Sequence, residues 1–153
     1  MHYSYRLRNT LIVSSCILGD WGSVNWYEGV FDMPLCLIVD DSKVVRTLAR
    51  RMVEPMGFTI AEAENGEVAL TKCTEALPDF ILLDWNMPVM DGLEFLKRLR
   101  ASPNGAAPKI IFCTTETDIS HITQAIESGA NEYIMKPFDE TILKDKMSQI
   151  GLL

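Results

Sequence analysis

From Pro34 onward the apolar residues recur with two periods in turn, and the switch between them repeats five times. Residues 35–39, Leu-Cys-Leu-Ile-Val, are a short uninterrupted apolar run, the pattern of a buried strand. Residues 42–56 then carry Val44, Val45, Leu48, Ala49, Met52, Val53 and Met56 at helical spacing, an apolar stripe along one side. Asp41 or Ser42 can cap the start of this helix, Gly57 is placed to end it, and Pro55 loosens its last turn. The alternation continues through a strand at 58–63, a turn at Asn65-Gly66, a helix at 67–75 and, after Pro78, a strand at 80–83. A loop containing Pro88 leads to a helix at 92–101 with Leu93, Leu96 and Leu99 inward. A small-residue loop precedes a strand at 110–113, a helix at 118–128, a strand at 132–135 and a closing helix at 139–150.

Three of these strands lack polar alternation, as expected when helices cover both faces of the sheet. Five strand–helix units with right-handed crossovers predict an α/β fold, a doubly wound five-stranded parallel sheet with five helices. In such a sheet a ligand binds beyond the carboxyl ends of the strands, where the strand order reverses.

Residues 1–32 differ. They hold Trp21, Trp26, Tyr3, Tyr5 and Tyr27 but no clean helical or strand period. The apolar stretch at 11–18 is interrupted by Ser14 and Ser15 and is at the short end for an export signal. The segment is read as an extension of a domain spanning 33–153, either disordered or translated from upstream of the true start. Met33, directly before the first convincing element, favours the second.

Composition narrows the function classes. The 153 residues carry a net charge of −7. Only Arg6, Arg8, Asp20, Glu28 and Asp32 precede Met33, so −6 of it belongs to the regular part. That balance opposes binding to nucleic-acid phosphates and to anionic lipid, and no apolar run reaches the length of a spanning helix. Cys16, Cys36, Cys73 and Cys113 form no CxxC and read as small buried hydrophobes in a reducing cytoplasm.

The chemistry gathers at the predicted strand ends. The first strand ends in Asp40-Asp41, the third in Asp84, the fourth in Thr114-Thr115 and the fifth in Lys136-Pro137. Three carboxylates at one edge repel each other and call for a cation. All-oxygen donors favour a hard ion, magnesium before calcium. A cation, a lysine and a hydroxyl around one carboxylate suit a phosphoryl group, with the carboxylate as nucleophile. Asp84, on the central strand, is the candidate nucleophile; Asp40 and Asp41, opening a helix, are better placed as metal ligands.

With these residues in view, the chain from 34 to 153 resembles the receiver domains of two-component response regulators, most of all the stand-alone, chemotaxis-type members. The resemblance rests on Ile38-Val39-Asp40-Asp41-Ser42, on the run from Leu82 through Asp84-Trp85-Asn86-Met87-Pro88 to Asp91-Gly92, on Thr114-Thr115-Glu116, and on Gly129-Ala130 through Tyr133 to Lys136-Pro137-Phe138. It implies a flavodoxin-like sheet with strand order 2-1-3-4-5. It implies that Asp84 accepts phosphate from a histidine kinase or histidine phosphotransferase. Magnesium is then held by Asp40, Asp41, Asp84 and the Asn86 backbone carbonyl. Thr114 and Lys136 bind the phosphate, with a cis bond between Lys136 and Pro137, and Tyr133 is the switch aromatic. Asn86, Thr115 and Glu116 tune the lifetime of the phosphate; Thr115 is bulkier than the common residue there, and Trp85 is an unusual bulk beside the acceptor. Such a protein is a cytoplasmic monomer and not an enzyme, apart from catalysing its own aspartyl phosphorylation and dephosphorylation.

The predicted last helix leaves only residues 151–153 after it, so no DNA-binding or effector segment is expected within this sequence. Output is then binding to a downstream protein, through the fourth helix, fifth strand and fifth helix, or phosphate relay. Arg46, Arg50 and Arg51 on the first helix form a basic patch read as the kinase-docking face. Two enzyme-like alternatives fit less well. A haloacid-dehalogenase-type phosphatase needs an acid two residues after its nucleophile, where Asn86 stands. A flavodoxin-like cofactor binder needs a phosphate cradle where Asp40-Asp41 would repel one. A phosphorylation-independent scaffold of the same fold remains the third alternative.

Overall fold

A computed structural model describes the backbone of residues 2–7, 10–18, 24–115 and 119–153, and side chains from Met33 onward within those ranges. The chain divides into two compact units, Met1–Pro34 and Leu35–Leu153.

In the first unit β1 (His2–Leu7), β2 (Thr10–Leu18) and β3 (Val24–Asp32) pair antiparallel in that order. Tyr5 lies opposite Ile12, and Leu11 opposite Phe31. No single segment here shows a strand period. Its β-branched and aromatic residues suit a pleated ribbon, and pairing between segments, which a period cannot reveal, decides the structure.

The second unit is the α/β fold expected from the pattern. Its strands are β4 (Leu35–Val39), β5 (Thr59–Ala63), β6 (Phe80–Asp84), β7 (Lys109–Thr114) and β8 (Glu132–Met135). They pair in parallel in the order β5-β4-β6-β7-β8, which is 2-1-3-4-5 within this unit. The helices are α1 (Lys43–Val53), α2 (Gly66–Glu75), α3 (Gly92–Ala101), α4 (Ile119–Glu127) and α5 (Glu140–Gln149). Every boundary lies within a few residues of the sequence expectation. Beyond α1, Pro55 sits in a separate 3-10 turn (Glu54–Met56) that Gly57 closes at φ 94°. Asn65, read as part of a turn, caps α2 by accepting from the Val68 amide at 2.9 Å. Ser42, Asp91 and Asp139 cap α1, α3 and α5 in the same way.

Alternate residues of each strand enter two separate cores. Leu37, Val39, Ile81, Leu83, Ile110 and Phe112 pack toward α2, α3 and α4, with Ala69, Phe95, Leu96, Leu99 and Ala125. Cys36, Ile38, Phe80, Leu82, Ile111, Cys113 and Ile134 pack toward α1 and α5, with Ala49, Val53, Leu143 and Met147. This is why the strands read as continuous apolar runs. The buried thiols are inert: burial pushes Cys73 up to about 11 and Cys113 up to about 12.

The chain between β6 and α3 is tightly constrained. The Met90 amide donates to the Pro88 carbonyl at 2.8 Å, a three-residue turn around Val89, whose φ is 70°. Gly92 starts α3 so close to β6 that an added Cβ would stand 2.1 Å from the Asp84 carbonyl oxygen. Gly92→Ala is therefore expected to force the two elements apart at a cost of about 3 kcal/mol. A thermal melt should show the midpoint falling by roughly 10 °C; an unchanged midpoint would mean this contact does not set the spacing.

Candidate functional site

The sheet register brings the predicted strand ends together. Val39 pairs with Leu83, Asp84 with Cys113, and Thr114 with Met135. Asp40, Asp84 and Thr114 are buried although polar. Strand alternation continues past the last pairs. The parity that sends Ile38, Leu82 and Ile134 toward α1 and α5 also sends Asp40, Asp84 and Lys136 to one side.

Their side chains meet there. Lys136 Nζ donates to Asp40 Oδ2 at 2.6 Å and to Asp84 Oδ1 at 2.9 Å. Asp40 Oδ1 accepts from the Ser42 amide at 2.8 Å. Ligand oxygens of Asp40, Asp41 and Asp84 all lie within 4.8 Å of one another. The Lys136–Pro137 bond is cis. An all-carboxylate cluster of this spacing fits a hard divalent cation, with Asp41 the exposed member and Asp40 and Asp84 the buried ones.

The charges do not balance evenly. Burial pushes the Asp84 carboxyl above its usual range, and the nearby Asp40 adds to this, so that Lys136 offsets the rise only in part. Burial alone would lower Lys136, but the hydrogen bonds it donates to Asp40 and Asp84 outweigh it and raise the ammonium. The lysine is thus fixed as a cation, and Asp84 is the strained anion of the pair.

The other predicted residues are dispersed around this centre. Thr114 is buried at the end of β7, and its carbonyl accepts from the Lys136 amide at 2.8 Å. Thr115, next in the chain, and Asn86 are exposed, and Glu116 lies outside the described residues. Tyr133 is half-buried on β8 and pairs with Phe112; by alternation it shares a face with Thr114, the face of α2 to α4. Lys146 Nζ sits 5.3 Å from its ring centroid. Trp85 turns to that same side, 5.2 Å from the Phe112 ring and stacked 5.1 Å from His121 of α4.

Arg46 and Arg50 have partners within the unit. Arg46 Nε donates to Glu62 Oε2 at 3.1 Å, and Arg50 Nη2 to Glu62 Oε1 at 2.6 Å. Glu62 is pushed up by burial, but the bonds from the two arginines outweigh this and hold it below the usual carboxylate range. Arg51 stays exposed beside Val44 and Leu48. The sequence reading missed Glu62 and His121. A glutamate inside a strand that otherwise reads Thr-Ile-Ala-Ala signals a buried partner; nothing in the pattern signals the histidine.

The two members of the central pair give substitutions of opposite sign. Lys136→Met leaves two buried carboxylates without a counter-ion and should cost about 3 kcal/mol at pH 7. A carboxyl raised in the folded state stabilises the fold below its unfolded pKa, and that contribution is lost as pH rises through the folded value. Asp84→Asn should therefore raise the melting midpoint at pH 7 by about 3 °C. Both differences from the parent chain should shrink on acidification toward the ordinary carboxylate range. A destabilised Asp84→Asn protein at pH 7 would refute the sign of the burial effect.

Comparisons with known proteins agree with this geometry. Residues 36–148 match the model of the response regulator receiver domain. The chain is 36% identical over 115 residues to the chemotaxis protein CheY of Pseudomonas aeruginosa, covering 74% of this chain and 93% of that protein. It is 36% identical to chemotaxis protein CheY-3 of Vibrio cholerae, covering 88% of it. Among solved structures, Vibrio cholerae CheY4 superimposes with a TM-score of 0.73 at 32% identity, over 77% of this chain and 98% of that one. A putative response regulator from Chloroflexus aurantiacus gives 0.72 at 32% identity, over 77% and 97%. Fold, strand-end residues and relatives converge: this chain belongs to the response regulator receiver domain family, and its second unit is a CheY-like receiver.

Proposed function

We propose that Asp84 is the phosphoacceptor of this receiver, taking a phosphoryl group from the phosphohistidine of a histidine kinase or histidine phosphotransferase. The observation that carries this reading is the shared lysine: Lys136 bridges Asp40 and Asp84, with Asp41 within ligand distance, at the carboxyl ends of the strands. In the transfer an Asp84 carboxylate oxygen attacks phosphorus. The phosphorus–nitrogen bond breaks and its electron pair stays on the imidazole, giving an acyl phosphate on Asp84. Lys136, already a fixed cation, neutralises the phosphoryl oxygens, and the Thr114 hydroxyl donates to one of them. Asp40, Asp41, Asp84 and the Asn86 carbonyl would hold a magnesium ion, which when bound supplies further positive charge to the phosphoryl group. Asn86 and Thr115, both exposed, and Glu116, next to Thr115 in the sequence, tune the lifetime of the acyl phosphate.

Receiver domains of this kind are signalling proteins, not conventional enzymes. We assign the activity to residues 33–153, acting in the cytoplasm. Output is protein–protein binding at the face of α4, β8 and α5, or relay to a further histidine. Thr114 is the switch: once it turns to the phosphate, the space it leaves on the α2-to-α4 face admits Tyr133.

Asp84→Asn is isosteric but not nucleophilic. It should keep the fold and lose all acid-labile, base-labile phosphate after incubation with a small acyl-phosphate donor and magnesium. Phosphate persisting on this variant would remove the assignment. Thr114→Ala should still be phosphorylated, since nucleophile and lysine remain. Hydrogen exchange over α4 and β8 should respond to phosphorylation in the parent chain and lose most of that response in Thr114→Ala. A full response in the variant would mean that the signal bypasses this threonine.

A further inference from the structure

The acidic turn is held from behind by an arginine that the phosphotransfer reading does not use. Arg46 is nearly buried, with 13% of its side chain exposed. Its Nη1 donates to the Asp40 carbonyl at 2.7 Å and lies 3.3 Å from the Asp41 carbonyl. Its Nε is tethered to Glu62 on β5. One guanidinium thus ties the backbone of both acidic residues to the edge strand. The contact lies at the start of α1, the positive end of the helix, where a cation is disfavoured. A fork that spans a carboxylate and two carbonyls from this place acts by geometry rather than by charge.

The turn has few other holds. The Asp40 amide donates to the Ala63 carbonyl at 3.1 Å, and its carboxylate is taken by Ser42 and Lys136. Asp41 is exposed, and its backbone is anchored through the carbonyl that Arg46 approaches. With both carbonyls engaged by Arg46, ligand oxygens of the two carboxylates lie within 4.8 Å of one another and of Asp84. Resting on the reading of Asp40, Asp41 and Asp84 as a cation site, we propose that Arg46 is its positioning residue, setting the two carboxylates for the metal through their backbone carbonyls and drawing its own position from Glu62.

The test is a titration with magnesium chloride alone, followed by tryptophan fluorescence and by the magnesium-induced rise in melting midpoint, on the full chain. Arg46→Lys keeps the charge but cannot span Glu62 and both carbonyls. It should weaken magnesium binding about tenfold, as outer-shell partners of metal sites commonly do. Arg46→Gln removes a cation from an acidic site. A role through charge alone predicts tighter binding for this variant, and positioning predicts weaker binding. Arg50→Gln breaks the neighbouring bond to Glu62 without touching either carbonyl and should bind magnesium as the parent does. Melting midpoints without metal separate loss of fold from loss of site, and Arg46→Gln serves alone if Arg46→Lys does not fold. Parent-like binding by Arg46→Lys, or tighter binding by Arg46→Gln, overturns the proposal while leaving the metal site standing. No magnesium response in the parent chain would overturn the metal site itself, and the inference with it.

Discussion

One ammonium group shared by two buried carboxylates sets the terms for this receiver. Lys136 directly follows β8 at the edge of the sheet, Asp40 directly follows β4, and Asp84 ends β6, one of the two strands between them in space. For these side chains to meet, the four strands β4, β6, β7 and β8 must end level and in one register. The two apolar cores exist in part to enforce that. Burial makes the contact strong and also makes Asp84 an uneasy anion. A carboxylate held in its charged form against burial, even beside a cation, comes at some cost in stability. That cost is the familiar trade between a stable fold and a working site.

Most of this was legible in the sequence, and the reasons are specific. Uninterrupted apolar runs at 35–39 and 80–83 can be buried only between two layers of helices, which fixes the fold class. Once strands are parallel, their carboxyl ends share an edge, so Asp40, Asp84, Thr114 and Lys136 could be placed together without coordinates. What stayed hidden depends on side-chain reach across elements. Arg46 is on a helix face that reads as solvated, yet its fork reaches back around the helix start to two carbonyls. The stack of Trp85 on His121 joins residues 36 positions apart and follows from no period. The backbone pairing of β1 to β3 was hidden for a different reason, because a strand in a meander is defined by its neighbours.

The loop after Asp84 shows how closely the backbone is committed. Val89, a β-branched residue, stands at φ 70° inside a three-residue turn, a conformation such residues adopt only under constraint. On one side of that turn lies Trp85, whose carbonyl accepts from the Gly92 amide at 3.0 Å; on the other, the Met90 carbonyl accepts from the Gly66 amide at 3.0 Å. The turn is thus tied to β6, α2 and α3 on both sides, although the Val89 side chain itself is exposed.

The division of the sheet into two parities has an evolutionary consequence. Asp40, Asp84 and Lys136 belong to the side of α1 and α5, whereas Thr114, Phe112, Tyr133 and the Trp85 ring belong to the side of α2 to α4. Substitutions along one side can accumulate with little disturbance to packing on the other, because a strand's odd and even residues never share a core. A lineage carrying this fold can therefore revise the α1–α5 side and the α2–α4 side of its sheet as two nearly independent inheritances, joined only where the strands end.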